Sequence, residues 1–229
     1  MTIAILSWGS PETLTQTLQS YNEFGLDQLD EEKLIYFQEI SGEDIETARK
    51  FGYKWIGSVE NVGIAEGYKR LLDAATGEFF LFLENDWRLI EHPTLQIVDA
   101  ENILYEDQMD IFRFRHRDIP GHPLWTKQFE GHEIEHPTHL LDSIHWTDPD
   151  KFEQINRYKG VQTFNEWYWT TSKYANWTNN PHMAYTDFLR RVAPHMGNRD
   201  LEADLQSWWE QQDFRVAQSN GLFTHDRID

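Results

Sequence analysis

Over residues 1–90 the spacing of apolar positions changes several times, and each change marks an element. Thr2–Ser7 (TIAILS) is a short run of strand formers. Ser10 and Pro11 follow in N-cap and first-turn positions, and Leu14, Thr17, Leu18 and Tyr21 then recur at helical spacing. Lys33–Ile40 (KLIYFQEI) reads as a second strand, 43–51 as a helix and Tyr53–Ile56 as a third strand. Asn61 and Gly63 form a turn. Ile64, Ala65, Tyr68, Leu71, Leu72 and Ala75 then make a helical face that stops at Gly77, a residue suited to a helix C-terminus. Phe79–Leu83 is apolar at every position and is followed by Glu84-Asn85-Asp86, which predicts a strand buried on both faces. Two β-α-β units before residue 87 imply an α/β fold, with a mostly parallel sheet flanked by helices.

Beyond Trp87 the pattern is less regular. A helix is expected around 93–105. From Asp110 a strand places Phe112 and Phe114 on one face and Arg113, Arg115 and Arg117 on the other. A diphosphate or an anionic acceptor fits such a basic row, and so does pairing with acidic neighbours. Residues 160–183 are dense in aromatics: Phe164, Trp167, Tyr168, Trp169, Tyr174 and Trp177. Trp167 and Trp169 are candidates for a sugar-stacking platform, because sugar C–H faces pack on aromatic rings; helix core accounts for the same residues equally well. A helix over 201–212 and a strand at Phe214–Val216 close the pattern.

Composition narrows the function classes. The chain has 229 residues, enough for one large α/β domain, and its aromatic content of 14% does not belong to a disordered chain. A net charge of −19 argues against nucleic acid and anionic membrane as partners, though not against a small anionic ligand held by local positive groups. With no cysteine there is neither a disulfide framework nor a thiolate nucleophile. The longest wholly apolar run is five residues, so no membrane span is expected, and no basic segment precedes the first apolar residues. These features together give the expectation of a cytoplasmic protein.

Three short motifs bear on chemistry. Glu84 and Asp86 end a buried strand, where open α/β sheets collect ligands, and an acid-x-acid pair on extended chain lies on one side. Such a pair suits a hard divalent cation. His132-Glu133-Ile134-Glu135-His136 spells H-E-x-x-H, but Gly131 precedes it and Pro137 follows it, which disfavours the helical turn a zinc site needs. Asn176-Trp177-Thr178 is a glycosylation sequon, relevant only to a secreted chain.

The run from Asn61 to Asp86 resembles GT-A glycosyltransferases of the large family-2 type. Their pattern is N-x-G-x-a, a helix, G-E-[YF]-[ILF]-x-F-L and then D-x-D. Here it reads Asn61-x-Gly63-x-Ala65, then Gly77-Glu78-Phe79-Phe80-Leu81-Phe82-Leu83-Glu84-Asn85-Asp86. Glu84 stands where the family has Asp, and Lys69 where it has Asn. A looser match covers 199–227: Leu201-Glu202-Ala203-Asp204-Leu205, a helix, Phe214-Arg215-Val216 and His225, without the family's Gly before the strand.

The resemblance implies a single GT-A domain over 1–229, with 1–90 binding nucleotide and 91–229 carrying the acceptor side and C-terminal elements. It implies a nucleotide-diphosphate-sugar donor, a carbohydrate acceptor and Mn2+ or Mg2+. The implied metal ligands are Asp86, Glu84 and His225. Ser7, Trp8, Glu39 and Lys69, with Glu84 and Asp86, would hold the nucleotide, and Glu202 would be the base of an inverting transfer, with Asp204 as its neighbouring competitor. A nucleotidyltransferase on a related sheet and a non-catalytic carbohydrate-binding module are the alternatives.

Overall fold

The computed structural model describes residues 1–29, 31–106, 109–116, 118–121, 126–129, 132–135, 162–164, 167–173, 175–197 and 201–226. In chain order, β1 (Thr2–Trp8) leads into α1 (Pro11–Phe24), β2 (Glu32–Gln38), α2 (Gly42–Lys50), β3 (Lys54–Gly57), α3 (Ile64–Ala74) and β4 (Phe79–Glu84). Then come β5 (Trp87–Leu89), α4 (Thr94–Glu106), β6 (Ile111–Arg115), β7 (Thr126–Phe129), β8 (His132–Glu135), β9 (Gln162–Phe164) and β10 (Trp167–Thr171). The chain closes with β11 (His182–Tyr185), α5 (Thr186–Val192), α6 (Leu201–Trp209) and β12 (Arg215–His225).

One ten-stranded sheet runs in the order β3-β2-β1-β4-β11-β6-β12-β10-β9, with β5 also paired to β12. The first four strands are parallel. β11 enters antiparallel between β4 and β6, while β6 and β12 return to the direction of β4. The sheet is therefore mixed but mostly one-directional.

The apolar strands are buried on both faces, as their sequence predicts. Leu81 and Leu83 of β4 join one core cluster, packed under α1, α2 and α4; Phe80 and Phe82 join the other, under α3, α5 and α6. β1 divides the same way, with Ile3 and Ile5 on the first side and Ala4 and Leu6 on the second. The result is a three-layer helix–sheet–helix arrangement.

Several local expectations are revised. Ser10 occupies the N-cap of α1, but its hydroxyl pairs with the Thr13 hydroxyl at 2.7 Å rather than with a backbone amide. α3 ends at Ala74, capped by an extended Ala75, so Gly77 is not its C-terminal glycine. Gly77 instead lets the chain cross the start of β1, where an added Cβ would lie 2.4 Å from the Met1 carbonyl carbon. The 160–183 segment holds strands β9 and β10 rather than a helix. His132–Glu135 is also a strand, paired with β7, which removes the helical turn the H-E-x-x-H motif requires; His136 lies outside the described residues, as do Arg117 and Tyr174.

Candidate active site at the carboxyl ends of the strands

β1, β2, β4 and β12 share one direction, so the residues at their carboxyl ends, Trp8, Gln38, Glu84 and His225, gather on one edge of the sheet. β4 stops at Glu84 and the chain turns through Asn85 and Asp86 before β5. That turn is fixed by its neighbours. The Asn85 amide donates to the Leu6 carbonyl at 3.1 Å, and the Thr17 hydroxyl donates to the Asn85 carbonyl at 2.7 Å.

β12 supplies the facing residue. Its last residues pair antiparallel with β5, His225 opposite Trp87, and the Asp226 amide donates to the Asp86 carbonyl at 2.8 Å. His225 Nε2 consequently lies 3.1 Å from Asp86 Oδ2, both side chains only 17% exposed. The His225 ring packs on Trp87 with centroids 4.8 Å apart. Along the His225 backbone, an added Cβ at Gly121 would lie 2.0 Å from the His225 carbonyl oxygen, so only glycine admits this approach. Asp86 Oδ1 is buried and has no hydrogen-bond partner among the described residues.

Glu84 is partly buried. Burial first, then the charges of Asp86 and Glu202, hold its carboxyl well above the usual carboxylate range, while the Trp87 indole pulls the other way. Glu84 thus feels the charges of both Asp86 and Glu202. The three do not form a cage: among the described residues no three metal-ligating side chains converge. The alternation that would align Glu84 with Asp86 ends where β4 ends, because Asn85 and Asp86 are turn rather than strand. Asp86 and His225 remain as a pair. Mg2+ or Mn2+ commonly takes one or two protein ligands and completes its shell with water and substrate phosphate, so this pair fits such an ion.

Glu202 opens α6, where its Oε1 accepts from the Asn179 amide at 2.7 Å. One turn on, Gln206 Oε1 accepts from the Trp177 amide at 3.0 Å. Residues at i and i+4 of a helix are thereby matched to alternate amides of an extended segment. Asp204, the competing acid, lies over Gly197, where an added Cβ would fall 2.0 Å from its Oδ2.

The nucleotide-side residues divide. Trp8 is 54% exposed, and its indole N–H donates to Glu39 Oε2 at 2.7 Å. Glu39 has φ +54°, the only left-handed non-glycine conformation among the described residues, a strain that folds tolerate mainly where the surroundings impose it. Ser7 is buried. Lys69 is not brought to this pair; its amine donates to the Met196 carbonyl at 3.1 Å. Trp167 is 7% exposed and sits in the core, and Trp169 is half-buried beneath the Arg215 guanidinium.

Sequence reading missed Gln38. Buried at the end of β2, its carboxamide donates to the Gly63 carbonyl at 2.9 Å and accepts from the Val62 amide at 2.8 Å, pinning the Asn61–Gly63 turn to the sheet edge. No local pattern distinguishes it; a polar residue closing an apolar strand is the nearest signal.

No protein-family profile and no curated protein matches the chain in sequence. Solved structures do match in fold. TarS 1–349 of S. aureus in complex with UDP-GlcNAc aligns with TM-score 0.61 at 14% identity, over 100% of this chain and 59% of that one. The mannosyltransferase PcManGT from Pyrobaculum calidifontis, in complex with GDP-Man and Mn2+, aligns with TM-score 0.56 at 11% identity, over 94% of this chain and 53% of that one. A nucleotidyl transferase from Methanothermobacter thermautotroptrophicus, Mth528, aligns with TM-score 0.50 at 13% identity, over 96% and 86%. The chain spans about three fifths of the TarS fragment. The fold is GT-A-like α/β: a mixed, mostly parallel sheet flanked by helices. Among the described residues no helix is long and apolar enough to cross a membrane.

Proposed function

We propose that the chain is a metal-dependent glycosyltransferase that moves a sugar from a nucleotide-diphosphate donor to an acceptor hydroxyl. The observation that carries this reading is the meeting of Asp86 and His225 at the carboxyl end of β4, with a buried Asp86 oxygen unpartnered among the described residues. The GT-A fold supports it, as do the UDP-GlcNAc and the GDP-Man with Mn2+ bound in the structural neighbours.

Asp86 and His225 would hold the cation. When bound, a divalent cation offers Lewis-acid neutralisation of a departing diphosphate. Trp8 offers an exposed ring for a base, with Glu39 as hydrogen-bond acceptor at its edge. Glu202 takes the proton from the acceptor hydroxyl as that oxygen bonds to the anomeric carbon and the bond to the diphosphate breaks. Displacement in one such step inverts the anomeric centre. The Asn179 amide anchors one Glu202 oxygen at the start of α6.

A nucleotidyltransferase is the second reading, favoured by the likeness to Mth528 over 86% of that chain. Ser7-Trp8-Gly9-Ser10, at the end of β1, lacks the basic residue such a loop needs for triphosphate. A carbohydrate-binding module is disfavoured because Trp167 and Trp177 are buried.

Titration of UDP- and GDP-sugars with and without Mn2+, followed by hydrolysis assays, tests the reading. Metal-dependent binding that quenches Trp fluorescence, part of it lost in Trp8→Phe, is expected. Turnover of a nucleoside triphosphate with a sugar phosphate, and none of a nucleotide sugar, would transfer the assignment to the second reading.

A further inference from the structure

Arg113 and Arg115 alternate along β6 and meet different surroundings. Arg113 is 1% exposed, and its guanidinium donates to the Asn176 carbonyl, so it belongs to the core. Arg115 is half-buried and borders the candidate site on two sides. Its guanidinium carbon lies 5.1 Å from the centre of the Trp87 ring, the ring that packs on His225. Its Nε donates to the Pro120 carbonyl at 3.1 Å, the same oxygen that accepts from the His225 amide at 3.3 Å. A terminal nitrogen lies 3.4 Å from Asn180 Oδ1, one residue from the Asn179 amide that holds Glu202. Arg115 therefore shares neighbours with His225 and touches the segment whose Asn179 amide holds Glu202.

Charge gives that position its meaning. Glu84 lies within the influence of two further carboxylates, Asp86 and Glu202, in a chain of net charge −19. An anionic ligand entering such a field needs local positive charge. A guanidinium presents a planar fork that matches phosphate and carboxylate oxygens, and stacking on an indole keeps that plane oriented.

We propose that Arg115 is the oxyanion-recognising residue of this site and contacts a phosphate or carboxylate group of the bound ligand. The group would come from the donor's diphosphate or from an anionic acceptor. The proposal rests on the glycosyltransferase reading only for its choice of probes.

The test is calorimetric titration of the full chain with UDP, GDP, uridine, guanosine and inorganic phosphate in the presence of Mn2+. It compares the wild type with Arg115→Met, Arg115→Lys and, as a control of equal charge change on α2, Lys50→Met. If the donor diphosphate is the ligand, Arg115→Met weakens nucleoside diphosphate binding by roughly 10–100-fold, as expected for losing a charge-assisted contact. Nucleoside and Lys50→Met affinities stay unchanged, and Arg115→Lys recovers part of the loss. If the acceptor is the source, diphosphate affinity holds while inorganic phosphate binding to the UDP- or GDP-saturated protein is lost. Affinities for both anions unchanged in Arg115→Met, or no anion bound by the wild type, overturn the proposal. Arg115-dependent phosphate binding without any nucleoside diphosphate binding sustains it while removing the glycosyltransferase reading. Should Arg115→Met not fold, Arg115→Lys decides: an anion affinity reduced several-fold supports the proposal, and an unchanged one overturns it.

Discussion

β4 and β12 deliver the two halves of the candidate metal site by different physical routes. β4 is short, apolar at alternate positions on both faces, and locked between β1 and β11, so Asp86 follows it at a fixed place. β12 is eleven residues long, pairs with β6, β10 and β5, and shifts register between Gln218 and Phe223. His225 reaches Asp86 only because that irregular strand swings onto β5 and because Gly121 admits its backbone. One ligand is positioned by burial of a local run. The other is positioned by long-range register and a close backbone contact, and it should be the easier of the two to dislodge.

The largest expected effect is chemical. Glu202→Gln keeps size and the Asn179 contact but removes basicity, and transfer should fall by roughly two to four orders of magnitude with donor and metal binding retained. Steady-state rates beside calorimetry would check this; near-native turnover in Glu202→Gln with a dead Asp204→Asn would move the role to Asp204. Next, Asp86→Asn should remove Mn2+-dependent binding of nucleotide sugar while the melting curve holds, since β4 is set by its apolar neighbours. Metal-dependent affinity that survives the change would take Asp86 out of the site.

Gly121→Ala probes the β12 side. The added Cβ meets backbone that cannot yield, at a φ of +77°, and a loss of about 1–3 kcal/mol is expected together with weaker Mn2+ binding. Gly42→Ala in α2, where nothing lies within 4 Å, should change stability by less than about 1 kcal/mol. Equal melting temperatures for the two variants would undo the contrast drawn between the strands.

At neutral pH the smallest effect concerns β11, which joins the two halves. His182 is buried, with Nδ1 donating to the Asn180 carbonyl at 2.8 Å and Nε2 accepting from the Tyr68 hydroxyl at 2.9 Å. Burial, with a further push from Arg113, lowers its pKa to about 3, which keeps the ring neutral when folded. The unfolded chain takes up a proton at this residue below about pH 6.5 and the folded chain does not. Stability should therefore fall as pH drops from about 6.5 toward 3, by up to about 1.4 kcal/mol per pH unit from this group. Denaturant melts at several pH values would show the slope reduced by one proton in His182→Gln; an unchanged slope would assign it to other groups.

Most of the N-terminal half was legible in the sequence because its signals are local. Period-two and period-3.6 patterns, a proline at a helix start and an all-apolar run each specify an element from a few neighbouring residues. The acids at the end of β4 are legible for the same reason. Their geometry is not, because the turn at Asn85 and Asp86 replaces the alternation on which their alignment was judged. The C-terminal half was read less well. Trp167 lies in a strand and in the core, a placement fixed by pairing with β12, and burial of an aromatic is decided by what packs over it.

The sequence by itself determined the α/β class, the parallel opening of the sheet and the acidic carboxyl edge of β4, all consequences of burying contiguous apolar runs. Only the tertiary structure decided that His225 meets Asp86, that Asn179 holds Glu202, that Trp8 caps Glu39 and that Arg115 borders the site while Arg113 does not. Each of these joins residues far apart in the chain through backbone register and close packing, and neither leaves a periodic trace in the residues that carry it.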